Sequence, residues 1–359
     1  MARPSVLLGM SGGVDSSVAA RLLTLQGYDV HGVTLQVWEH ENDEIAPSKR
    51  WEERGCCKVG LARYVAQRLG ISHEVVDSRD TFQSAVIDDF VAAYANGTTP
   101  NPCVRCNERV KIRRLLDLAD AKGFEFVATG HYARIQDSGQ GLRLMKGIDT
   151  RKDQSYFLYR LRQPWLSRIL FPLGGMLKTD VWKEADHLGL PADELKESQE
   201  ICFVSHGDYR TFLEAHPSLR ATPGPFVDTT GAILGTHQGI PFYTPGQRRG
   251  LGIATGDRLY VQRVLPQTNT VVLGPEHSLL SSSCTVTDLN ILDSRIAHES
   301  VQSECKVRYA TPPSRATITP HSPGHVSVQF EEPQRALSPG QSAVFYDGDI
   351  VVGGGIIQP

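Results

Sequence analysis

The chain has 359 residues, 40% of them hydrophobic and 21% charged, which excludes a disordered polymer and gives enough length for two or three domains. A formal net charge of −3 excludes a uniformly basic nucleic-acid surface, so any such partner must be met by local patches. Seven cysteines, an odd number, speak against a disulfide scaffold and for metal binding, catalysis or plain burial.

No apolar run is long enough to cross a membrane. Arg3 and Pro4 lead straight into a strand-like run without a secretory leader, so the expected location is the cytoplasm.

In chain order, the first half alternates strands and helices. Ser5–Gly9 reads as a short buried strand and Val14–Leu25 as a helix closed by Gly27, with Val18, Leu22 and Leu25 at helical spacing. Residues 30–37 are strand-like, 39–54 a charged aperiodic loop, 60–69 a helix ending at Gly70, and 73–77 a strand. Phe82, Val86, Phe90 and Tyr94 recur every four residues and predict an amphipathic helix; 109–121 predicts another, followed by a strand over 126–129. This alternation predicts a doubly wound parallel α/β sheet covered on both faces.

The pattern changes after Phe203. Pro and Gly cluster at Thr222-Pro223-Gly224-Pro225 and at Tyr243-Thr244-Pro245-Gly246, and the rest reads as short strands over 270–273, 285–291, 305–309, 315–319, 326–331 and 343–346. The expected organisation is an α/β catalytic domain over 1–205, then two small barrel-like β domains over 206–275 and 276–359.

Gly9-Met10-Ser11-Gly12-Gly13-Val14-Asp15-Ser16-Ser17 follows the first strand and opens the first helix. A helix N-terminus offers unpaired N–H groups and a partial positive charge, and two glycines let backbone approach an anion. Ser11, Ser16 and Ser17 add hydroxyls. No Lys follows the glycines as in a Walker A loop, and the spacing is not a dinucleotide fingerprint. The Ser-Gly-Gly-x-Asp-Ser order resembles the PP-loop of ATP pyrophosphatases, whose loop grips the β,γ-pyrophosphate while the α-phosphate is attacked. That resemblance implies ATP as cofactor, with Asp15 near its Mg²⁺.

Two further segments are Thr99-Pro100-Asn101-Pro102-Cys103-Val104-Arg105-Cys106-Asn107, placed between two helices, and Ser198-Gln199-Glu200-Ile201-Cys202-Phe203. With the loop, with Ala128-Thr129-Gly130-His131-Tyr132-Ala133-Arg134, Lys152-Asp153-Gln154-Ser155-Tyr156-Phe157-Leu158, Pro245-Gly246-Gln247-Arg248-Arg249-Gly250-Leu251-Gly252, Lys306-Val307-Arg308-Tyr309 and Pro339-Gly340-Gln341, they resemble the tRNA-specific 2-thiouridylases, the MnmA/TrmU family. The likeness runs over essentially the whole chain. It implies 2-thiolation of the wobble uridine of tRNA, with Cys202 as persulfide carrier and Cys106 as the other cysteine, left joined by a disulfide after turnover.

The resemblance assigns Gly9, Met10, Ser11, Gly12, Gly13, Val14, Asp15, Ser16, Leu35 and Gly130 to the nucleotide. It assigns Asn101, Pro102, Cys103, His131, Lys152, Asp153, Gln154, Arg308, Tyr309 and Gln341 to the tRNA. The implied partners are tRNA and a cysteine desulfurase or sulfur-relay protein; a monomer is expected.

The family often carries Asp where this chain has Cys103, and the resulting Cys-x-x-Cys leaves a second reading open, in which Cys103, Cys106 and Cys202 hold a metal or iron–sulfur cluster. Inert buried thiols are a third. Cys56 and Cys57 read as structural, Cys284 and Cys305 as core. Basic residues at Arg105, Arg109, Lys111, Arg113 and Arg114, with Glu108 as their opposing charge, at Arg151, Lys152, Arg160 and Arg162, and at Arg248 and Arg249 are candidates for tracking phosphates, although Arg113 and Arg114 alone read as a solvated helix face. Rival functions are a PP-loop synthetase acting on a small metabolite and a non-catalytic RNA-binding protein with a cysteine-held cluster.

Overall fold

A computed structural model describes residues 3–38, 58–139, 141–190, 201–204, 208–253 and 258–358. The charged loop 39–54, Cys56, Cys57 and Ser198-Gln199-Glu200 lie outside the described residues. The chain packs into two compact units, one of Met1–Val86, Cys103–Gly207 and Asp349–Val351, the other of Ile87–Pro102, Asp208–Gly348 and Val352–Pro359.

The first unit is built on a five-stranded parallel sheet. Its strands are β1 (Ser5–Gly9), β2 (Asp29–Gln36), β3 (Ser72–Asp77), β4 (Phe126–Ala128) and the two-residue Ile169–Leu170. A hairpin of β5 (Ala133–Asp137) and β6 (Leu142–Lys146) comes between, so Ile169–Leu170 is β7. The order is β3-β2-β1-β4-β7. Chain progress therefore reverses at β1, with β2 and β3 on one side and β4 on the other, and the ends of β1 and β4 flank the switch point where such sheets bind ligands.

Val6, Leu7 and Leu8 are fully buried because both faces of the sheet are covered. Val6 and Leu8 join Val18, Leu23, Leu61, Val65 and Val181, which come from the helices Val14–Leu25, Val59–Leu69 and Lys178–His187. Alternation along the strand turns Leu7 and Gly9 the other way. There the helix Arg113–Lys122 brings Leu115 so close that a Cβ on Gly9 would stand 3.1 Å from it.

The four-residue repeat from Phe82 to Tyr94 is helical but not one α-helix. Arg79–Phe82 and Asp88–Ala95 are joined by the π-turn Gln83–Ile87. A strict repeat of four drifts by about 40° per step on an ideal α-helix, and a widened turn takes up that drift. The cysteine segment also departs from expectation. It lies not between helices but inside one, which begins at Pro102 rather than at residue 109 and runs as Pro102–Arg105, the π-helical Cys106–Ile112 and Arg113–Lys122. Pro102 suits a first helical turn, where its missing N–H is not needed.

The second unit holds two β assemblies. A four-stranded sheet has β8 (Gly224–Val227), β9 (Ile233–His237), β10 (Tyr260–Leu265) and β11 (Thr270–Gly274) in the order β10-β11-β8-β9. A barrel has β12 (Leu280–Ile291), β13 (Val301–Lys306), β14 (Ser314–Ser322), β15 (His325–Arg335), β16 (Ser342–Asp347) and β17 (Ile350–Ile357). Their order is β12-β15-β14-β13-β16-β17, closed by pairing of β12 with β17. The strand expected over 305–309 ends at Lys306, and β17 was hidden by Gly353-Gly354-Gly355. The helix Asp88–Ala95 belongs to this unit: Tyr94 stacks on Tyr209 with ring centroids 4.8 Å apart, and Phe90 meets Phe212 at 6.0 Å.

Candidate nucleotide and cysteine site

The glycine-rich loop leaves the end of β1 on a fixed backbone. Met10 donates its N–H to Val33 O at 2.8 Å, Thr34 Oγ1 donates to Met10 O at 2.7 Å, and Lys58 N donates to Ser11 O at 2.8 Å. Gly12 turns the chain at φ 75°, and a side chain there would overlap the carbonyl oxygen of Lys58. Ser16 and Ser17 donate their hydroxyls to Gly13 O at 3.0 and 2.9 Å, so they stiffen the loop rather than face outward. Gly13 caps the helix Val14–Leu25 without any side-chain bond, which leaves first-turn N–H groups available to an anion. Leu35 is buried on the neighbouring strand β2.

Asp15, in the first turn, is held by two residues the sequence reading did not assign. Tyr132 OH donates to its Oδ1 at 2.8 Å and Lys178 Nζ to the same oxygen at 2.7 Å. The Lys178 ammonium also lies 5.7 Å from the Tyr132 ring centre and 5.1 Å from that of Trp182. The Asp15 side chain is 36% exposed, and its Oδ2 has no hydrogen bond within the described residues. A Mg²⁺ ion takes one or two carboxylates plus phosphate oxygens, and the accessible Asp15 carboxylate beside the glycine-rich loop fits it. Across the switch point, Gly130 lies against the helix start: a Cβ there would stand 2.8 Å from Asp15 C and Ser16 N.

His131 follows Gly130. Its Nδ1 is hydrogen-bonded to Thr129 Oγ1 at 2.7 Å and its ring meets Phe171 edge-on. Burial of the ring, with a smaller contribution from the charge of Lys111, pushes its pKa down to about 3. A neutral imidazole stands here at any physiological pH.

Cys103 and Cys106 are three apart on one helical stretch and so share a face. Cys106 is buried, Cys103 and Cys202 are half-buried, and all three are reduced thiols. Cys202 precedes Phe203, whose ring packs on Phe82 at 5.7 Å and Trp38 at 6.4 Å and so fixes that segment. Among the described residues no three His, Cys, Asp or Glu side chains group closely enough to hold a metal ion. Just beyond Cys106, Glu108 gathers Arg160 at 2.7 Å, Arg105 at 3.5 Å and Arg109 at 3.8 Å. Burial works against the Arg160 charge, but the bond and field of Glu108 outweigh it and raise its pKa. Arg113 pairs with Asp117 on the exposed helix surface. One carboxylate, that of Glu108, thus serves three arginines, and the segment keeps a net positive charge.

The expected tRNA residues fall into two kinds. Lys152 is half-buried in the loop before Ser155. Asp153 is buried, and its carboxylate accepts from Gly147 N at 2.9 Å, Ser155 N at 3.1 Å and Ser155 Oγ at 2.9 Å. Gln154 accepts from Tyr132 N at 2.9 Å. These two side chains shape the loop. In the second unit, Arg308 donates to Ala336 O at 2.6 Å, and Tyr309 is 39% exposed with Lys306 Nζ 5.2 Å from its ring centre. Gln341 Nε2 donates to Thr99 O at 3.0 Å and Pro100 O at 3.2 Å, which ties down the backbone that leads into Asn101 and Pro102.

Three family profiles match consecutive stretches: the tRNA methyl transferase HUP domain over residues 4–206, the tRNA methyl transferase PRC-barrel domain over 210–275, and the aminomethyltransferase beta-barrel domain over 281–357. Proteins named tRNA-specific 2-thiouridylase MnmA are similar over nearly the full length. That of Heliobacterium modesticaldum is 48% identical over 99% of this chain and 92% of its own. Those of Pelotomaculum thermopropionicum and Acetivibrio thermocellus are each 46% identical over 100% of this chain, and over 98% and 100% of their own. A parallel α/β sheet with a glycine-rich loop at its switch point, two β assemblies later in the chain, and this likeness from end to end place the chain in the tRNA-specific 2-thiouridylase family.

Proposed function

We propose that this protein is an ATP-dependent tRNA-uridine 2-sulfurtransferase acting on the wobble uridine. The observation that carries this is the full-length likeness to 2-thiouridylases in a chain whose loop, Asp15 and cysteines suit that chemistry. The words methyl transferase in two of the domain descriptions weigh less than the relatives' names, which cover the whole chain.

The uridine C2 oxygen is a poor leaving group. Its attack on the α-phosphate of ATP expels pyrophosphate and makes it leave as AMP. The loop Gly9–Ser16 and Gly130 hold the nucleotide, with Leu35 at its side; Mg²⁺, held in part by Asp15, supplies charge neutralisation at the phosphates. Sulfur arrives as a persulfide on Cys202, whose outer sulfur forms the new bond to C2. Cys106 bonds to the Cys202 sulfur as the persulfide bond breaks, so thiouridine and AMP are released and a Cys106–Cys202 disulfide remains. An outside reductant reopens it. The neutral His131 ring lies near the flipped base and acts as a hydrogen-bonding wall rather than a cation. Lys152, Arg308 and Tyr309 contact tRNA directly, while Asp153, Gln154 and Gln341 set the backbone from which Lys152, Asn101, Pro102 and Cys103 are presented. A redox pair is preferred to a cluster because the resemblance assigns Cys202 and Cys106 to sulfur transfer.

We read the domains as 1–205, 206–275 and 276–359, the protein as a cytoplasmic monomer, and its sulfur source as a cysteine desulfurase or relay protein. Among the described residues no helix is long and apolar enough to cross a membrane. The test is thiolation of unmodified tRNA with ATP and a sulfur donor. Wild type forms 2-thiouridine, and Cys106→Ser and Cys202→Ser do not; normal rates in both variants overturn the cysteine assignment.

A further inference from the structure

The second unit carries a charge arrangement that neither nucleotide nor sulfur chemistry uses. Several arginines are matched to acids, as Arg21 is to Glu184, Arg168 to Asp120 and Arg295 to Asp293. Around the loop 246–253 they are not. The ion pairs of the described residues include none of Arg210, Arg248, Arg249 and Arg258, although the last three are exposed. Arg248 and Arg258 both line a cavity of about 280 Å³, together with Gly250, Leu251 and Gly252.

The loop is built to hold them. Gly246, Gly250 and Gly252 have φ of 88°, 73° and 68°, which only glycine adopts without strain. A Cβ at Gly250 would stand 3.0 Å from Nη1 of Arg210, so glycine lets that guanidinium lie against the backbone; its carbon is also 5.4 Å from the Tyr243 ring centre. Arg210 is thus placed by packing and stacking instead of by a carboxylate, which leaves its donors for another acceptor. Gln247 pins the loop by accepting from Thr244 N at 3.2 Å and donating to Arg249 O at 2.9 Å. A Cβ at Gly246 would lie 3.9 Å from Nη2 of Arg308, so the loop adjoins a residue already assigned to tRNA.

Arg248 and Arg258 on one cavity, with Arg210 against the Gly250 that also lines it, repel one another and favour an anion among them. Their forked donors match phosphate oxygens, and their exposure suits a polymer backbone passing over the surface. We propose that Arg210, Arg248, Arg249 and Arg258 form a binding site for phosphodiester groups of the RNA substrate. This rests on the tRNA-thiolation reading and adds a contact to it.

The test is binding of an unmodified tRNA transcript across a series of KCl concentrations. Replacing Arg248, Arg249 and Arg258 together by Gln weakens binding at least about tenfold and flattens the salt dependence by about 0.7–0.9 per lost contact. The matching Lys variant keeps most of the slope, and both unfold at the wild-type temperature. Wild-type affinity and slope in the Gln variant, while wild type binds tRNA, overturn the proposal; failure of wild type to bind tRNA overturns the thiolation reading instead. Normal tRNA binding with a raised KM for ATP would assign the arginines to free nucleotide, and normal tRNA binding with lost sulfur delivery would assign them to an acidic protein. Either result also overturns it.

Discussion

Nζ of Lys178 stands 2.7 Å from Oδ1 of Asp15, a pair 163 residues apart in sequence that joins the first turn of one helix to the first residue of another. The Lys178 side chain is 9% exposed and its ammonium sits near the rings of Tyr132 and Trp182, so its position is set by packing. A fixed cation beside a phosphate loop orients the carboxylate and adds positive potential where phosphates bind. Lys178→Gln keeps a donor of similar reach and removes the charge. The expected outcome is a KM for ATP raised by about tenfold or more, since a charge-assisted hydrogen bond is worth about 1.5–3 kcal/mol. Pyrophosphate release measured against ATP concentration checks it, and an unchanged KM would falsify the assignment.

Gly130 is the second contact to the same helix start. A methyl group there meets backbone atoms of Asp15 and Ser16 at 2.8 Å, and backbone cannot step aside as a side chain can. Gly130→Ala is expected to cost about 1–3 kcal/mol of stability and to move the loop enough to weaken ATP binding. Gly175, with open space at its Cβ position and no positive φ, is the control: Gly175→Ala leaves both unchanged. Urea unfolding and an ATP titration on the two variants separate the cases.

The alternation of strand and helix, the loop at the end of β1 and the β-rich second half were legible because each rests on local patterns: periodicity, glycines and turn residues. Lys178 was not, because an amphipathic helix with one more lysine looks the same whether that lysine is solvated or aimed at Asp15. Asp153 was named only through the resemblance, as a tRNA residue. Only the structure reveals that its oxygens accept from Gly147 and Ser155. The hairpin β5–β6 went unseen because it is inserted between two strands of the parallel sheet, and the helical setting of Cys103 and Cys106 because a proline suits a loop as well as a first helical turn.

His131 gives a pH prediction. Its folded pKa, about 3, lies below the unfolded value near 6.5, so between these values the unfolded chain binds the extra proton. The neutral ring's contribution is fully present above about pH 6.5 and is lost as pH falls toward 3. His73 and His237 are also lowered, chiefly by burial, and act in the same direction. His131→Gln is therefore expected to make the loss of stability between pH 6.5 and 4 shallower, and wild type shows no His131 titration by NMR between pH 5 and 8. An imidazole signal from His131 titrating near 6.5 in the folded protein would contradict this account.

Lys152 and Asp153 are neighbours with opposite expected phenotypes. The Asp153 carboxylate satisfies two backbone N–H groups and one hydroxyl in a buried turn, so Asp153→Ala leaves donors without acceptors and is expected to cost about 2–4 kcal/mol. Activity should then be lost together with the fold of the loop, and ATP binding should weaken because Gln154, the next residue, accepts from the backbone of Tyr132, whose hydroxyl donates to Asp15. Lys152→Ala should change stability by no more than about 0.5 kcal/mol. Its effect should appear in tRNA binding, as a salt dependence flatter by about 0.9. Thermal unfolding and tRNA binding at several KCl concentrations, run on both variants, check the pair. Equal loss of stability in the two would mean that Lys152 is structural as well, and an unchanged salt slope in Lys152→Ala would remove it from the RNA contacts.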